Sequence, residues 1–271
     1  MNFGLIIIGD EILSGKRQDK HLPKVIELLA ERGLSLSWVR YVGDEPDRIT
    51  ADLTYALATG DVVFSCGGIG ATPDDHTRQC AARALGVELA LHPEARDLIF
   101  ERMAEVAAEQ GKPYEPDRAD NQHRLNMAVF PVGAAIIPNP FNKIAGFSLP
   151  TLAAGEGGVY FVPGFPVMAW PMVAWVLDHR YPHLRQALTH SEKSVIVFGA
   201  MEATLTPLME AIEANFSGVK VFSLPSVDHP QWGKHIELGV KGSAALLDTA
   251  YSALLHGLRE HGAELGPELV R

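Results

Sequence analysis

Between Asp61 and Thr77 the chain carries a pattern suited to phosphate chemistry. The run Asp-Val-Val-Phe-Ser-Cys ends at Cys66 and passes at once into Gly67-Gly68-Ile69-Gly70, followed by Ala71-Thr72-Pro73-Asp74-Asp75-His76-Thr77. Glycines between a buried strand and a helix let the backbone approach a ligand closely. The helix start adds N–H groups without intrahelical partners and the positive end of the dipole. Together they bind phosphate without a basic side chain. A GGxG loop alone fits a plain tight turn equally well, and the adjoining Asp74-Asp75 pair narrows the choice. Asp74 and Asp75 would stand beside the phosphate, where unpaired carboxylates repel an anion. A divalent cation (Mg, Mn or Co) held by Asp74 and Asp75 reverses that sign by bridging carboxylate and phosphate oxygens. The competing role is helix capping, for which Asp is favoured. One of the two can cap while the other binds metal.

Two further acidic elements belong to the same edge: Asp10-Glu11, with Ser14-Gly15 just after it, and Asp44 in Val42-Gly43-Asp44-Glu45. Each alone reads as a solvated loop charge, and their convergence carries the argument. His76 suits either a proton shuttle near neutral pH or a surface position at a helix start. His229 and His235 show no metal-ligand spacing. A G-x-S-x-G elbow, a Walker A sequence and a G-x-G-x-x-G after the first strand are all absent, which disfavours serine hydrolases, P-loop enzymes and Rossmann dehydrogenases.

Periodicity identifies the elements that must position these residues. Phe3 to Ile8 is a short apolar run and reads as a buried strand, as does Asp61 to Cys66. Leu22 to Arg32 has helical apolar spacing with Gly33 as C-cap. Leu34 to Val42 reads as a strand, Pro46 to Ala58 as a helix opened by proline, and His76 to Leu85 and Pro93 to Gln110 as further helices. Gly111 to Arg124 reads as an ordered loop. Ala134 to Ile137 and Gly158 to Val162 read as strands, Thr151 to Gly158 as a turn and Val167 to Leu177 as a helix. Alternation of strands and helices predicts βαβ units, a mostly parallel sheet and helices on both faces. In such sheets ligands sit at the carboxyl ends of the strands, where both Gly9-Asp10-Glu11 and the glycine loop fall. A weak boundary near Tyr181 to Thr189 separates residues 1–182 from residues 189–271. The second region repeats strand (Ser194 to Phe198), helix (Glu202 to Asn215), strand (Val219 to Leu224), strand (Lys234 to Val240) and helix (Ser243 to His261), a small α+β domain without a visible cluster of site residues.

Composition sets outer limits. With 23 basic and 33 acidic side chains, a net charge of -10 argues against a nucleic-acid footprint, so an anionic ligand needs local help from N–H groups or a metal. Two cysteines, Cys66 and Cys80, are too few for a disulfide framework. The N-terminus lacks a basic region and a signal-length apolar run, and no stretch approaches a membrane span. The expectation is a cytoplasmic protein with neither membrane nor nucleic-acid partner.

With these residues in place, the chain resembles the molybdopterin-binding domain of the MoaB/Mog type. The closer likeness is to its version in competence/damage-inducible CinA proteins and in the N-terminal half of some eukaryotic FAD synthases. The resemblance rests on Gly9-Asp10-Glu11-Ile12-Leu13-Ser14-Gly15, Val42-Gly43-Asp44 and the Gly67 to Thr77 segment. It extends to Pro131-Val132-Gly133-Ala134, Pro138-Asn139-Pro140, Ala145-Gly146-Phe147 and Pro163-Gly164-Phe165-Pro166, and it covers roughly residues 3 to 178. From about residue 190 the tail resembles the small second domain of CinA proteins. Ile69 stands where the family loop has Thr, and Met168 where it has a carboxylate. The resemblance implies a three-layer α/β/α domain that forms a homo-oligomer and binds a pterin phosphate or an adenine nucleotide. CinA-like members imply metal-dependent hydrolysis of a pyrophosphate such as ADP-ribose or FAD, whereas Mog-like members adenylylate molybdopterin. Asp44 and Asp75 match the positions held to be catalytic. Binding is expected at Gly67, Gly68, Gly70, Thr72, Asp10, Glu11, Ser14, Asn139, Pro163 and Gly164. Three functions therefore compete: a metal-dependent pyrophosphatase, a pterin- or nucleotide-binding module without turnover, and a Mog-like adenylyltransferase, which the CinA-type spacing disfavours.

Overall fold

The computed structural model describes residues 1–153, 155–185 and 190–270. The chain divides into two compact units, Met1–Arg185 and Gln186–Arg271. The expected boundary at residues 181–189 lies partly outside the described residues, as does Ala154 of the expected turn.

The first unit is organised by strands that are apolar on both sides. In β1 (Phe3–Ile8) every residue is buried. Phe3, Leu5 and Ile7 enter one core and Ile6 and Ile8 the other, the period-two pattern of a strand covered on both faces. After it come α1 (Asp10–Leu13), α2 (His21–Ala30), β2 (Trp38–Val42), α3 (Pro46–Thr59), β3 (Val62–Cys66), α4 (Thr77–Leu85), β4 (Leu89–Leu91), α5 (Pro93–Glu109), α6 (Ala119–Arg124), β5 (Val129–Pro131), β6 (Ala135–Ile137), β7 (Gly146–Pro150), β8 (Gly158–Val162) and α7 (Pro166–Arg180). The main sheet runs β2-β1-β3-β8-β7-β6. Its β2-β1-β3-β8 part is parallel, and β7 and β6 close it antiparallel. Helices α3, α4 and α5 pack on one face and α2 and α7 on the other, so the unit is three-layered α/β/α.

Several local expectations change. The segment 111–124, expected as loop, ends in α6, whose polar sequence hides a helix with one buried side chain, Asn121. Leu34 and Leu36 pack against the α2–α7 core without joining the sheet, so β2 starts only at Trp38. Strand β7 and the small β4–β5 ribbon have no counterpart in the periodicity, because each is short and contains or borders a proline or glycine.

The second unit comprises β9 (His190–Phe198), α8 (Glu202–Asn215), β10 (Lys220–His229), β11 (Gly233–Ser243), α9 (Ala244–Glu260) and β12 (Glu264–Val270). They form an antiparallel sheet ordered β10-β11-β9-β12, a split βαββαβ arrangement. Val195, Val197, Leu238 and Val240 meet Leu205, Ile212, Leu254 and Leu258 of the helices in one core. The closing strand β12 was absent from the sequence expectation, since Gly266 and Pro267 break its pattern.

Candidate functional site

A cleft of about 390 Å³ opens at the carboxyl ends of β1, β3 and β8. From β1 the chain crosses to β2 on one side, while β3 lies on the other, which is the switch in strand order where open α/β sheets hold ligands. The volume falls in the range for small-molecule sites. Each strand end leads into the cleft: Gly9 and, in the first turn of α1 where a loop was expected, Glu11 after β1; Asp44 after β2; Gly67 to Thr72 with Asp74 and Asp75 after β3; and Pro163 and Gly164 after β8.

The glycine loop is held by close backbone approaches. Gly67 and Gly68 have φ of +109° and +69°, in the region that favours glycine. A Cβ on Gly67 would collide with the Ile8 carbonyl oxygen, and one on Gly68 with Thr77 Oγ1. The Gly67 N–H donates to the Val162 carbonyl at 3.0 Å, tying the loop to β8. Among the described residues nothing accepts from the N–H groups of Gly68, Ile69, Gly70 or Ala71. Four consecutive free donors on the wall of a cleft are a local source of positive potential.

The carboxylates divide by what they hold. Asp10 and Asp44 brace one another: the Asp10 N–H donates to Asp44 Oδ2 at 2.9 Å, and the Asp44 N–H donates to Asp10 Oδ1 at 3.1 Å. Partial burial pushes the Asp44 pKa above the usual carboxylate value, and the charges of Asp10, Glu11 and Asp74 push it further in the same direction. Asp75 clasps the loop, its Oδ2 accepting from the Thr72 N–H at 2.8 Å and from the Thr72 hydroxyl. Asp74 is exposed and lines the cleft beside it. Among the described residues no three His, Cys, Asp or Glu side chains converge as metal ligands.

Of the residues singled out from sequence, Glu11, Asp44, Gly67, Gly68, Gly70, Thr72, Asp74, Asp75, Pro163 and Gly164 line the cleft. Asp10 stands behind it as the brace of Asp44. Ser14 is exposed after α1, where its N–H donates to the Asp10 carbonyl at 2.8 Å. Asn139 is buried beneath the rim. Its amide donates to Asn142 Oδ1 and the Ile144 carbonyl and accepts from the Phe141 N–H, shaping the loop that carries Asn142, Ile144 and Ala145 onto the cleft. Sequence reasoning passed over Arg17, which lines the mouth with its guanidinium 3.6 Å from Glu11. Its signal was present in the chain: a cation two residues after Ser14-Gly15. It also passed over Asn142, whose amide meets Met168 Sδ at 3.2 Å and which only the folded loop brings near. His76 faces a second cavity behind the glycine loop, together with Arg78 and His123. No helix among the described residues is long and apolar enough to cross a membrane.

Comparison with known proteins agrees with this architecture. The family described as "Probable molybdopterin binding domain" matches residues 4–186. A CinA-like protein of Mycobacterium marinum is 30% identical over 217 residues, which cover 78% of this chain and 49% of that protein. A protein of Caldivirga maquilingensis is 31% identical over 245 residues, 89% of this chain and 88% of its own length. The crystal structure of a CinA protein of unknown function from Thermoplasma acidophilum superimposes with a TM-score of 0.55 at 26% identity, covering 66% of this chain and 99% of that one. The chain spans about half the length of the CinA-like relatives it matches. It belongs to the molybdopterin-binding domain family and is related to the CinA-like proteins.

Proposed function

We propose, from its membership of the molybdopterin-binding domain family, that this chain binds a pterin phosphate or adenine nucleotide in the β1–β3–β8 cleft and hydrolyses a pyrophosphate such as ADP-ribose or FAD with a divalent cation. The observation that carries the binding half is the row of free N–H groups at Gly68 to Ala71 on the cleft wall. Arg17 adds a cationic side chain to the lining.

The donor set suits a hard cation. Asp74 and Asp75 offer carboxylate oxygens, and an ion of the magnesium type takes one or two carboxylates with water and substrate phosphate oxygens. Asp74 and the Oδ1 atom of Asp75 would hold it. Such a cation supplies neutralisation of phosphate charge when bound. The chain's own residues do the rest. The glycine-loop N–H groups orient and stabilise the phosphate oxygens. Asp44, with its pKa raised by burial and by its acidic neighbours, is suited to take the proton of the attacking water. Water adds to one phosphorus, the bridging P–O bond breaks, and two monophosphates leave. By analogy with the family, the unit acts as a homo-oligomer.

A non-catalytic binding module is the second reading. It is favoured by Met168 at the rim, where the resembled family has a carboxylate, and by Asp75 being already occupied with Thr72. The two readings separate when the protein is incubated with ADP-ribose or FAD and Mg, Mn or Co, with monophosphate release followed by chromatography. Turnover abolished by EDTA supports the enzyme. Thermal stabilisation by nucleotide without turnover under any metal sinks the hydrolase and leaves the binding module. A ligand at 100 times its Kd should stabilise by about 2.7 kcal/mol.

A further inference from the structure

Three of the free N–H groups of the glycine loop belong to peptides whose carbonyls are held from α4. A trans peptide points its C=O and its N–H in opposite directions, so whatever holds a carbonyl also aims the N–H of the next residue. Three carbonyls of this loop are held from the first turn of α4. Gly67 O accepts from Thr77 Oγ1 at 3.1 Å, Gly68 O accepts from the Thr77 N–H at 3.0 Å, and Gly70 O accepts from Arg78 Nη2 at 2.6 Å. The peptides so fixed carry the N–H groups of Gly68, Ile69 and Ala71. Thr77 and Arg78 are absent from the lining of the cleft, while Arg78 lines the second cavity behind the loop.

Arg78 is an unusual residue for such a place. It is 4% exposed, and its second terminal nitrogen donates to the Asn126 carbonyl. Its Nε has no partner among the described residues. A buried guanidinium is costly unless its surroundings need it, and burial pulls its pKa down even though Asp75 lies near enough to oppose that. Thr77, fully buried, uses both its hydroxyl and its N–H on the loop. Neither residue is spent on packing alone.

We infer that Thr77 and Arg78 are positioning residues for phosphate: by holding the carbonyls of Gly67, Gly68 and Gly70 from behind, they aim the N–H groups of Gly68, Ile69 and Ala71 into the cleft. This rests on the reading that phosphate binds at the glycine loop, and it goes further by naming what makes the loop competent. If the loop were free, each peptide could flip, presenting a carbonyl oxygen to the anion in place of a donor. The aimed donors need no reorganisation on binding, which is the condition for strong electrostatic stabilisation.

The test uses inorganic pyrophosphate as probe and backbone amide NMR of the full chain. In the wild type the Gly68, Ile69 and Ala71 amide protons should move downfield together on titration. Thr77→Val keeps the shape but removes the hydroxyl, and should weaken pyrophosphate binding about tenfold, the scale of one hydrogen bond to a charged group, with loss of the Gly68 response. Thr77→Ser should restore both. Arg78→Lys keeps the charge but cannot span Gly70 and Asn126, and should remove the Ala71 response. Thr77→Val and Arg78→Lys proteins that are folded, judged by the remaining amide spectrum, yet bind and respond as wild type would overturn the inference while leaving the loop as the phosphate site. Failure of Thr77→Ser to restore binding would also overturn it, since the effect would then be one of packing. Wild-type shifts confined to residues outside the loop would instead remove the reading of the site itself, and the inference with it.

Discussion

Substitution of Gly68 by alanine isolates the geometric demand of the glycine loop. Two costs add. The first is the backbone: Gly68 has φ +69°, and an L-residue in that region costs about 1–2 kcal/mol. The second is steric, because the new methyl would overlap Thr77 Oγ1 and come within 3.2 Å of Thr77 Cβ. Thr77 is fully buried and its hydroxyl is bonded to Gly67 O, so it cannot swing aside freely, and overpacking of this kind costs about 1–3 kcal/mol. Gly68→Ala should therefore destabilise the first unit by roughly 2–5 kcal/mol. Removing the obstructing oxygen separates the terms. In a Thr77→Ala background the same change should cost only the backbone part, about 1–2 kcal/mol, leaving a coupling of about 1–3 kcal/mol. Urea unfolding followed by tryptophan fluorescence measures this in the right unit once Trp232 of the second unit is replaced (Trp232→Phe), since Trp38, Trp170 and Trp175 all lie in the first. Equal costs of Gly68→Ala in both backgrounds, or a cost below about 0.5 kcal/mol in the wild type, would refute the reasoning. Nucleotide binding retained at full affinity in Gly68→Ala would refute the assignment of the loop as the phosphate site.

Asp44 carries a folded-state pKa above the ordinary carboxylate value, so the folded protein holds its proton more tightly than the unfolded chain. The associated stability is fully present below the ordinary carboxylate pKa and is lost as pH rises through the elevated value. Asp44→Asn should thus be more stable than wild type at pH 7, with the difference vanishing in urea titrations run in acid; a constant difference across pH would contradict this. The opposite sign applies to Asp178, held below its usual range by the guanidinium of Arg32, whose Nε and Nη2 each donate to it at 2.8 Å. That contribution exists above the ordinary value and fades as pH falls through the depressed one, so Asp178→Asn should cost about 0.5–1 kcal/mol at pH 7 and nothing in strong acid. Arg17→Ala should weaken nucleotide binding several-fold at low salt and by much less at 0.5 M salt, as screening of an exposed cation requires, and an unchanged affinity by calorimetry would remove Arg17 from the site. If the cleft is hydrolytic, Asp74→Asn should lower metal-dependent turnover by about a hundredfold or more while metal-free nucleotide affinity holds or rises.

The range of the interactions decides how much of this was legible in the sequence. The runs at Phe3–Ile8, Val62–Cys66 and Gly158–Val162 are buried on both faces, and such strands announce themselves by unbroken apolar residues. The loops at their carboxyl ends were legible for the same reason, because the strands say where they stop. Strand β7 was hidden: Gly-Phe-Ser-Leu-Pro is short and bounded by a glycine and a proline, and it becomes a strand because β8 offers it an antiparallel partner. Residue roles at the rim were hidden likewise. Asn139 belongs to a matched motif, but only the folded loop shows that its amide supports Asn142 and Ile144 from beneath and that the pocket lies on the other side. Arg78 stands three residues after Asp75 at the start of a helical pattern, with nothing local to mark it as buried. Its burial depends on Asn126, 48 positions away, and no local pattern carries that information.

The acidic residues now admit a sharper argument than their number allowed. The cap expected of Asp74 or Asp75 is not made, since His76 stands at the N-cap of α4 with no side-chain cap bond. Clasping and bracing instead explain why oxygen atoms stand at Asp75, Asp10 and Asp44, since each accepts backbone N–H bonds. They do not explain why those oxygens are charged. Asparagines at positions 75, 10 and 44 could accept the same N–H bonds. They would do so without the mutual repulsion that, after burial, drives the Asp44 pKa upward. Glu11 is partly offset by Arg17 at 3.6 Å, an exposed pair of little energetic weight. Negative charge thus exceeds what the architecture uses, and it is concentrated beside donors that would draw an anion. A phosphate alone would meet opposing fields there, attractive from the loop and repulsive from the carboxylates. A phosphate accompanied by a cation meets only complementary ones, and on that ground the metal-assisted reading outweighs simple anion capture.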